Sequence, residues 1–379
     1  ITHEYFGVPS YITGIVLATV VGMVIIGGIK RIGAVAGTLV PFMVALYLLA
    51  GIYVLAVNFG EIPAMFGLII SAAFSPQEAT GAFLGGTVGY AFLIGMKRAL
   101  FSNEAGQGSS PIAHSAAKTN EPVREGVVAG LEPFIDTVVV CTFTALIILS
   151  TGVWNRDAAG DLSAEPFIAK VADGIWQIES TPAPTGADYK VGAEVFVIIE
   201  GDANGDTGND LHKASGVIVD GPTGPLIEFA PVQQVSGPRI ADTGVYLRAV
   251  GATMTAKAFD TVQPGLGKWL VTLASWLFAI STMISWSYYG EQGMVYLAGE
   301  KSVLPYKVVF CALIIIATLG LIKTDVDLDN MTGVGTGVML FANVPITLIL
   351  GYQAMAAYKR YVARLKSGEL DAETTSSNA

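Results

Sequence analysis

The stretch Phe101-Ser-Asn-Glu-Ala-Gly-Gln-Gly-Ser-Ser-Pro111 interrupts a run that is otherwise long, apolar and helical. It puts an amide, a carboxylate, hydroxyls, glycines and a proline where a membrane helix wants leucine. Backbone groups in hydrocarbon must be hydrogen-bonded within the protein, so a broken helix survives only where it lines a protein cavity. Broken helices at membrane depth build the substrate sites of secondary transporters. The simpler reading is a helix that ends at Leu100, followed by a cytoplasmic loop. Gly81, Gly85, Gly86, Gly89 and Gly95 lead up to the break, and such small residues let helices approach closely. Lys97 and Arg98 place charge where it is costly and usually functional.

Outward from the break, the chain reads as an all-α polytopic membrane protein. Its 379 residues are 52% hydrophobic and only 14% charged, with a mean hydropathy of +0.58. Soluble domains carry about 25% charged residues. At roughly 20 apolar residues per crossing, the spans fall at 11–29, 34–57, 82–119 (broken), 125–153, 267–298, 303–322 and 330–355. Ile62–Phe74 is too short to cross and reads as an interfacial or re-entrant helix.

Charge sets the expected orientation. Lys30/Arg31, Lys118/Arg124, Lys301/Lys307 and Lys359/Arg360/Arg364/Lys366 share one side if every span crosses once. Glu61, an acidic insertion at 155–266 and Asp325/Asp327/Asp329 share the other. The positive-inside rule then puts the 359–379 tail in the cytoplasm and the insertion outside a bacterial cytoplasmic membrane. Ser367–Ala379 has a disordered composition. The insertion holds 15 acidic and 7 basic residues, much of the chain's excess negative charge, which argues against nucleic-acid binding. Its β-type runs Val191–Glu200, Gly216–Asp220, Pro225–Pro231 and Gly244–Val250, separated by Gly- and Pro-rich turns, predict a small external β-rich domain. Cys141 and Cys311 lie in apolar runs and read as packing residues. The chain opens at Ile1, without an initiator Met, as though cut from something longer.

Two further groups of polar residues lie inside spans. In Phe278-Ala-Ile-Ser-Thr-Met-Ile-Ser-Trp-Ser-Tyr-Tyr-Gly-Glu291, Thr282 and Trp286 are four apart and share a helix face. Ser281, Thr282 and Ser285 offer hard oxygen ligands suited to Na⁺; helix–helix hydrogen bonding explains them equally well. Glu132-Pro-Phe-Ile-Asp136-Thr137 puts two carboxylates at i and i+4, and Asp136 at membrane depth should have a partner. Asp202–Asp210 resembles a calcium loop, but lacks the glycine at its sixth position and has Lys213 where the bidentate acid belongs. His3, His114 and His212 are scattered, and no nucleophile set or phosphate loop appears, so an enzyme is not expected.

Gly95–Pro111, with Ile112-Ala-His-Ser-Ala-Ala-Lys118, Glu121-Pro-Val-Arg-Glu-Gly126 and Glu132–Thr137, resembles the alanine or glycine:cation symporters, also called sodium:alanine symporters. Phe278–Gly290 resembles that family's second strong motif, and Gly27–Ile32 and Leu39–Phe42 also fit. The similarity covers about 5–154 and 267–350. It implies a LeuT-type fold of inverted repeats, with this chain running from about the fourth helix to the tenth. The break is then the sixth helix, and Phe278–Gly290 lies in the eighth. The resemblance implies substrate contacts at Phe101, Ser102, Asn103, Gly106, Thr282 and Trp286, and Na⁺ contacts at Ser281 and Thr282. The family's first broken helix would complete that site. On this reading the chain alone shows an open groove beside Phe101–Gly108 and Ser281–Trp286, and neither binds alanine tightly nor transports it. Ala99 stands for a usual Gly and Gln107 for a usual Leu; Phe341-Ala-Asn343-Val-Pro345 matches loosely.

The expected function is Na⁺-coupled symport of a small neutral amino acid, alanine or glycine, by alternating access in the lipid bilayer, with no organic cofactor. The alternative is a membrane-anchored receptor whose acidic external domain binds a partner. An inert anchor has no use for a broken helix or for Asp136.

Overall fold

A computed structural model describes residues 1–75, 81, 83–186, 189–204, 207–222, 224–233, 235–249, 251–321 and 325–370, with the side chains of Glu4 and 325–327 left aside. The helices are α1 (Thr2–Phe6), α2 (Ser10–Ile25), α3 (Gly28–Val57), α4 (Ile62–Ala72), α5 (Val88–Ser102), α6 (Ser110–His114), α7 (Pro122–Pro133), α8 (Thr142–Ser150), α9 (Ala252–Val262), α10 (Leu266–Ala298), α11 (Val303–Ala317) and α12 (Asp325–Lys366). The strands are β1 (Gly160–Asp161), β2 (Ile168–Ala172), β3 (Ile175–Ile178), β4 (Thr181–Pro182), β5 (Glu194–Glu200), β6 (Leu211–Val219), β7 (Leu226–Phe229), β8 (Val232–Gln233), β9 (Arg239–Ile240) and β10 (Gly244–Leu247).

Among the described residues four helical stretches are long and apolar enough to cross a membrane: Gly28–Val57, Pro122–Ser150, Leu266–Ala298 and Leu328–Lys366. The sequence reading differs from the structure at three edges. The span expected at 11–29 stops at Ile25, because Gly28 turns the chain with φ +73°. The last span, expected at 330–355, begins at Asp325 and continues through 359–366, which were read as tail. The proposed disordered tail falls largely on 371–379, outside the described residues.

The chain divides into two compact units. One comprises Ile1–Gly7, Val44–Gly95 and Phe143–Trp276. Its antiparallel sheet runs β1-β10-β5-β6-β7-β4, with β9 also on β5, beside a smaller sheet β2-β3-β8. β5 and β6 pair from Glu194↔Val217 to Glu200↔Leu211. Val195, Val197 and Ile199 point to one core with Ile218, Ile227 and Val245; Phe196 and Ile198 point to a second with Tyr246 and Leu84. A strand covered on both faces needs an unbroken apolar run, and Val-Phe-Val-Ile-Ile supplies one. The β-rich stretch expected at 155–266 also contains α9. That helix buries Ala256, Ala258 and Phe259 against Val54, Ile147 and Val271.

The other unit comprises Val8–Met43, Met96–Thr142 and Leu277–Ala379. α2 meets α11 through Gly14, Ala18 and Gly22, one small residue per turn. A Cβ on Gly14 would stand 2.1 Å from the Thr318 hydroxyl, and one on Gly22 would stand 3.3 Å from Cys311 Sγ. Backbones this close gain dispersion contacts that lipid cannot offer. Val21, Ile25, Ile32 and Ile284 form the apolar seam of this unit. Lys307, expected as a loop charge, is buried instead: its Nζ lies 2.9 Å from Glu291 Oε2.

Candidate functional site

The segment between α5 and α6 is tightly held. α5 ends at Ser102, and Gln107 caps it by donating from Nε2 to the Leu100 carbonyl at 2.7 Å. Glu104 then takes a left-handed backbone, φ +50°, the one non-glycine to do so among the described residues. That conformation costs roughly 1–2 kcal/mol for a residue with a Cβ. It persists where surroundings over-determine it, and such strain concentrates at ligand clamps and switches. Here Ser109 donates to Glu104 Oε2 at 2.6 Å, and the Tyr289 hydroxyl reaches Oε1 at 3.5 Å. Gly106 (φ +74°) and Gly108 (φ +84°) complete the turn before α6.

Two neighbours in the same unit anchor the unwound segment. The first is the helix that follows. Pro133 has no N–H, so the bond to the Ala129 carbonyl is lost. The helix widens to a π turn over Phe134–Cys141, a distortion frequent at functional sites. The π turn carries Asp136 and Thr137. Ser102 donates to the Asp136 carboxylate, and Asn103 Nδ2 donates to Thr137 Oγ1 at 2.8 Å. Asp136 thus has the partner that its depth requires. The second neighbour is α12, where Asn343 Nδ2 donates to the Gly106 carbonyl at 2.8 Å. A Cβ on Gly106 would lie 3.1 Å from Leu340, and one on Gly108 2.9 Å from Asn343. Arg98, about one helical turn before the end of α5, pairs with Asp329 at 3.0 Å.

The residues expected in the site therefore separate into two groups. Ser102, Asn103 and Gly106 converge with Asp136, Thr137 and Asn343. Trp286 joins them indirectly: its ring meets Tyr289 edge-on at 5.7 Å, and Tyr289 meets Glu104. Phe101 is half-exposed. The Ser281 hydroxyl donates within its own helix to the Phe278 carbonyl at 2.9 Å, and Thr282 lies exposed on the Trp286 face. Neither is hydrogen-bonded to the break. Sequence reasoning missed Thr137, Tyr289 and Asn343 as parts of one site. The amide of Asn343 inside an apolar helix, two residues before Pro345, was the available signal.

Elsewhere, the calcium-like loop includes Gly205 and Asp206, which lie outside the described residues. Asn204 Oδ1 accepts from the Thr207 backbone N–H at 3.0 Å. Among the described residues no group of His, Cys, Asp or Glu is arranged to hold a metal ion. His114 lies between Glu125 (2.7 Å) and Glu132 (3.7 Å).

Long apolar helices, with a hydrogen-bonded polar turn held among them, define a multi-pass membrane protein. Family comparison gives the branch: the model of the Sodium:alanine symporter family matches residues 1–175 and 234–375. The chain belongs to that family. The sodium/alanine symporter AgcS of Methanococcus maripaludis is 31% identical over 356 residues, 94% of this chain and 58% of the relative. The sodium/proton-dependent alanine carrier protein of Bacillus sp. (strain PS3) is 30% identical over 96% of this chain and 64% of the relative. An uncharacterized transporter of Haemophilus influenzae is 29% identical over 98% and 62%. The chain thus spans about 58–64% of the length of these relatives. They are transporters, not enzymes.

Proposed function

We propose that this chain carries part of the translocation site of a Na⁺-coupled symporter for a small neutral amino acid, alanine or glycine, working by alternating access. The observation that carries this reading is the strained break at Asn103–Ser109, clamped by the π turn and by α12. The related symporters and carriers named for alanine support the substrate class.

The residues supply acceptors suited to an ammonium group. The Leu100 and Phe101 carbonyls already accept hydrogen bonds. Gln107 Oε1, however, is buried with no donor partner among the described residues, and a buried acceptor left unpaired costs about 1–3 kcal/mol until something donates to it. Asp136 beside Ser102 adds a carboxylate. Trp286 and Tyr289 form an aromatic wall, and Ser281 and Thr282 offer oxygens to Na⁺ as the co-transported ion. The site's two states would differ in whether Asn343 and Thr137 hold the break or release it. The charge pattern supports a cytoplasmic C-terminus and an external β-rich segment. A LeuT-type repeat remains the reading that best joins the break to the second motif.

Trp286→Ala tests the wall. Losing an anchor contact of about 1.4 kcal/mol weakens alanine affinity tenfold. In the full-length protein, alanine uptake in proteoliposomes should fall by about that factor with unchanged membrane insertion. Uptake equal to wild type would remove Trp286 from the site. In the same full-length background, Thr282→Val should abolish the Na⁺ dependence of alanine binding. Calorimetry giving the same Na⁺-induced gain in both proteins would exclude the hydroxyl as a ligand.

A further inference from the structure

The sheet-bearing unit contains a cavity of about 370 Å³ whose lining does not match the chemistry around it. Residues 155–266 carry 15 acidic and 7 basic side chains. Three of those seven, Arg156, Lys213 and Arg248, line this one cavity, and no carboxylate among the described residues lines it. The walls between them are aromatic: Phe83, Trp154 and Phe196. Phe83 and Trp154 meet edge-on at 5.2 Å, and Phe196 stacks on Tyr246 at 5.2 Å, so the walls are braced from behind.

Each cation is placed by a different device. Arg156 follows the end of the α8 span and donates to the Val153 carbonyl at 3.2 Å and to the Leu247 carbonyl. Arg248, just beyond β10, pairs with Glu194 at 2.7 Å. Lys213 comes from β6, where Ser215 pairs with Phe196, so its side chain falls on the Phe196 face of the sheet. Its ammonium lies 4.6 Å from the Phe196 ring centre and has no hydrogen-bonding partner among the described residues. The residue is exposed, but desolvation of the ammonium against this wall, with Arg156 and Arg248 adding repulsion, holds it below the usual lysine range. Among the described residues Glu194 offsets one of these three cations, and no other carboxylate pairs with Arg156 or Lys213.

We propose that this cavity binds a small organic anion, a carboxylate or phosphate ester with a flat or apolar body. The anionic group would bridge Lys213 and the two guanidiniums, and the body would lie between Trp154, Phe83 and Phe196. Charge-assisted bonds to a carboxylate are strong where water is partly excluded, and the volume lies within the range of small-molecule sites. Leu149, at the end of a membrane-length helix, also lines the cavity. The anion therefore has two sources with one chemistry: a dissolved organic acid, or the headgroup of an anionic phospholipid.

The test uses the whole chain in nanodiscs of neutral phosphatidylcholine, titrated with benzoate by calorimetry. Saturable binding is expected, with the neutral isostere benzamide not binding. Lys213→Gln should weaken benzoate about tenfold or more, the factor equivalent to 1.4 kcal/mol, and Lys213→Arg should restore it. Because the Lys213 ammonium makes no hydrogen bond among the described residues and its charge is held at a cost, Lys213→Gln leaves the fold intact; a melting temperature no lower than wild type verifies this. Lys213→Glu, which reverses the charge, should abolish binding. Repeating the titration with phosphatidylglycerol in the disc separates the sources. Weakened benzoate binding in wild type identifies the headgroup as occupant; unchanged binding identifies the dissolved anion. The proposal is overturned if benzoate fails to bind and phosphatidylglycerol changes nothing. Equal binding by wild type and Lys213→Gln, or by benzoate and benzamide, overturns it as well.

Discussion

Thr137 shows how much one hydroxyl carries. It accepts from Asn103 Nδ2 and donates back to Asn103 Oδ1 at 3.1 Å, so the amide at the break is satisfied on both sides. Thr137→Val keeps the shape and removes both bonds. Leaving such a group unpaired costs about 1–3 kcal/mol, so the detergent-solubilised protein should melt lower, with Thr137→Ser near wild type. Equal melting of Thr137→Val and wild type would show that the break does not depend on this pair. Lys307 makes the same point with charge. Removing one partner of a buried ion pair costs about 3–5 kcal/mol, while replacing both is far milder. Lys307→Met should therefore destabilise more than Lys307→Met with Glu291→Gln, measured by thermal unfolding. Lys213 gives a pH dependence. Its lowered value means that the folded state binds fewer protons than the unfolded chain below the ordinary lysine range. Stability should then rise with pH through that window, and Lys213→Met should flatten the rise. The comparison belongs below pH 10, because burial and Asp242 raise the Tyr246 hydroxyl and produce the opposite slope above its ordinary value.

At the level of elements, helix contact is set by small residues and by interruptions. Gly14→Leu would drive a side chain into Thr318, and overpacking of this kind costs about 1–3 kcal/mol. Gly290 is equally constrained, since a Cβ there would stand 2.0 Å from the Tyr306 hydroxyl. Gly14→Leu is expected to lower the melting temperature and expose Cys311 to thiol reagents. Unchanged Cys311 labelling would mean that α2 and α11 do not rely on this seam. The elements themselves were largely legible in the sequence, because their causes are local. Apolar runs of membrane length gave the long helices, and glycine with proline gave the break. Turn residues also exposed strands β5, β6, β7 and β10. What stayed hidden depends on distant partners. The hairpin β2–β3 has no clear alternation of apolar and polar residues. The π turn follows from Pro133, whose local effect a sequence reading assigns to a kink as readily as to a widening. Asn343 gains its meaning only once α12 lies against Gly106. Lys307 read as a loop charge because its partner Glu291 is sixteen residues away, across a turn.

For the whole molecule, the question is which parts of 155–266 belong to the helical scaffold. The family match stops at 175 and resumes at 234, so the unmatched residues lie within the sheets, while α9 lies in the matched part. The packing agrees with that division. Phe259 is fully buried against Val54, Ile147 and Val271, all of which come from long helices. The second strand face, by contrast, touches the scaffold side chiefly through Leu84, with Asn209 donating to the Leu84 carbonyl and the Thr87 N–H donating to Thr207 at 2.9 Å. In the full-length protein, replacing residues 157–248 by a Gly/Ser linker should therefore leave a folded membrane protein, with alanine uptake within a few-fold of wild type. Replacing 155–266 also removes α9. Losing a buried phenylalanine alone costs about 3–5 kcal/mol, so that variant should aggregate or melt well below the first. Size-exclusion profiles and melting curves of the two replacements decide the matter. If both behave alike, α9 is no part of the scaffold. If the shorter replacement inserts well yet transports nothing, the sheets contribute to the path of the substrate.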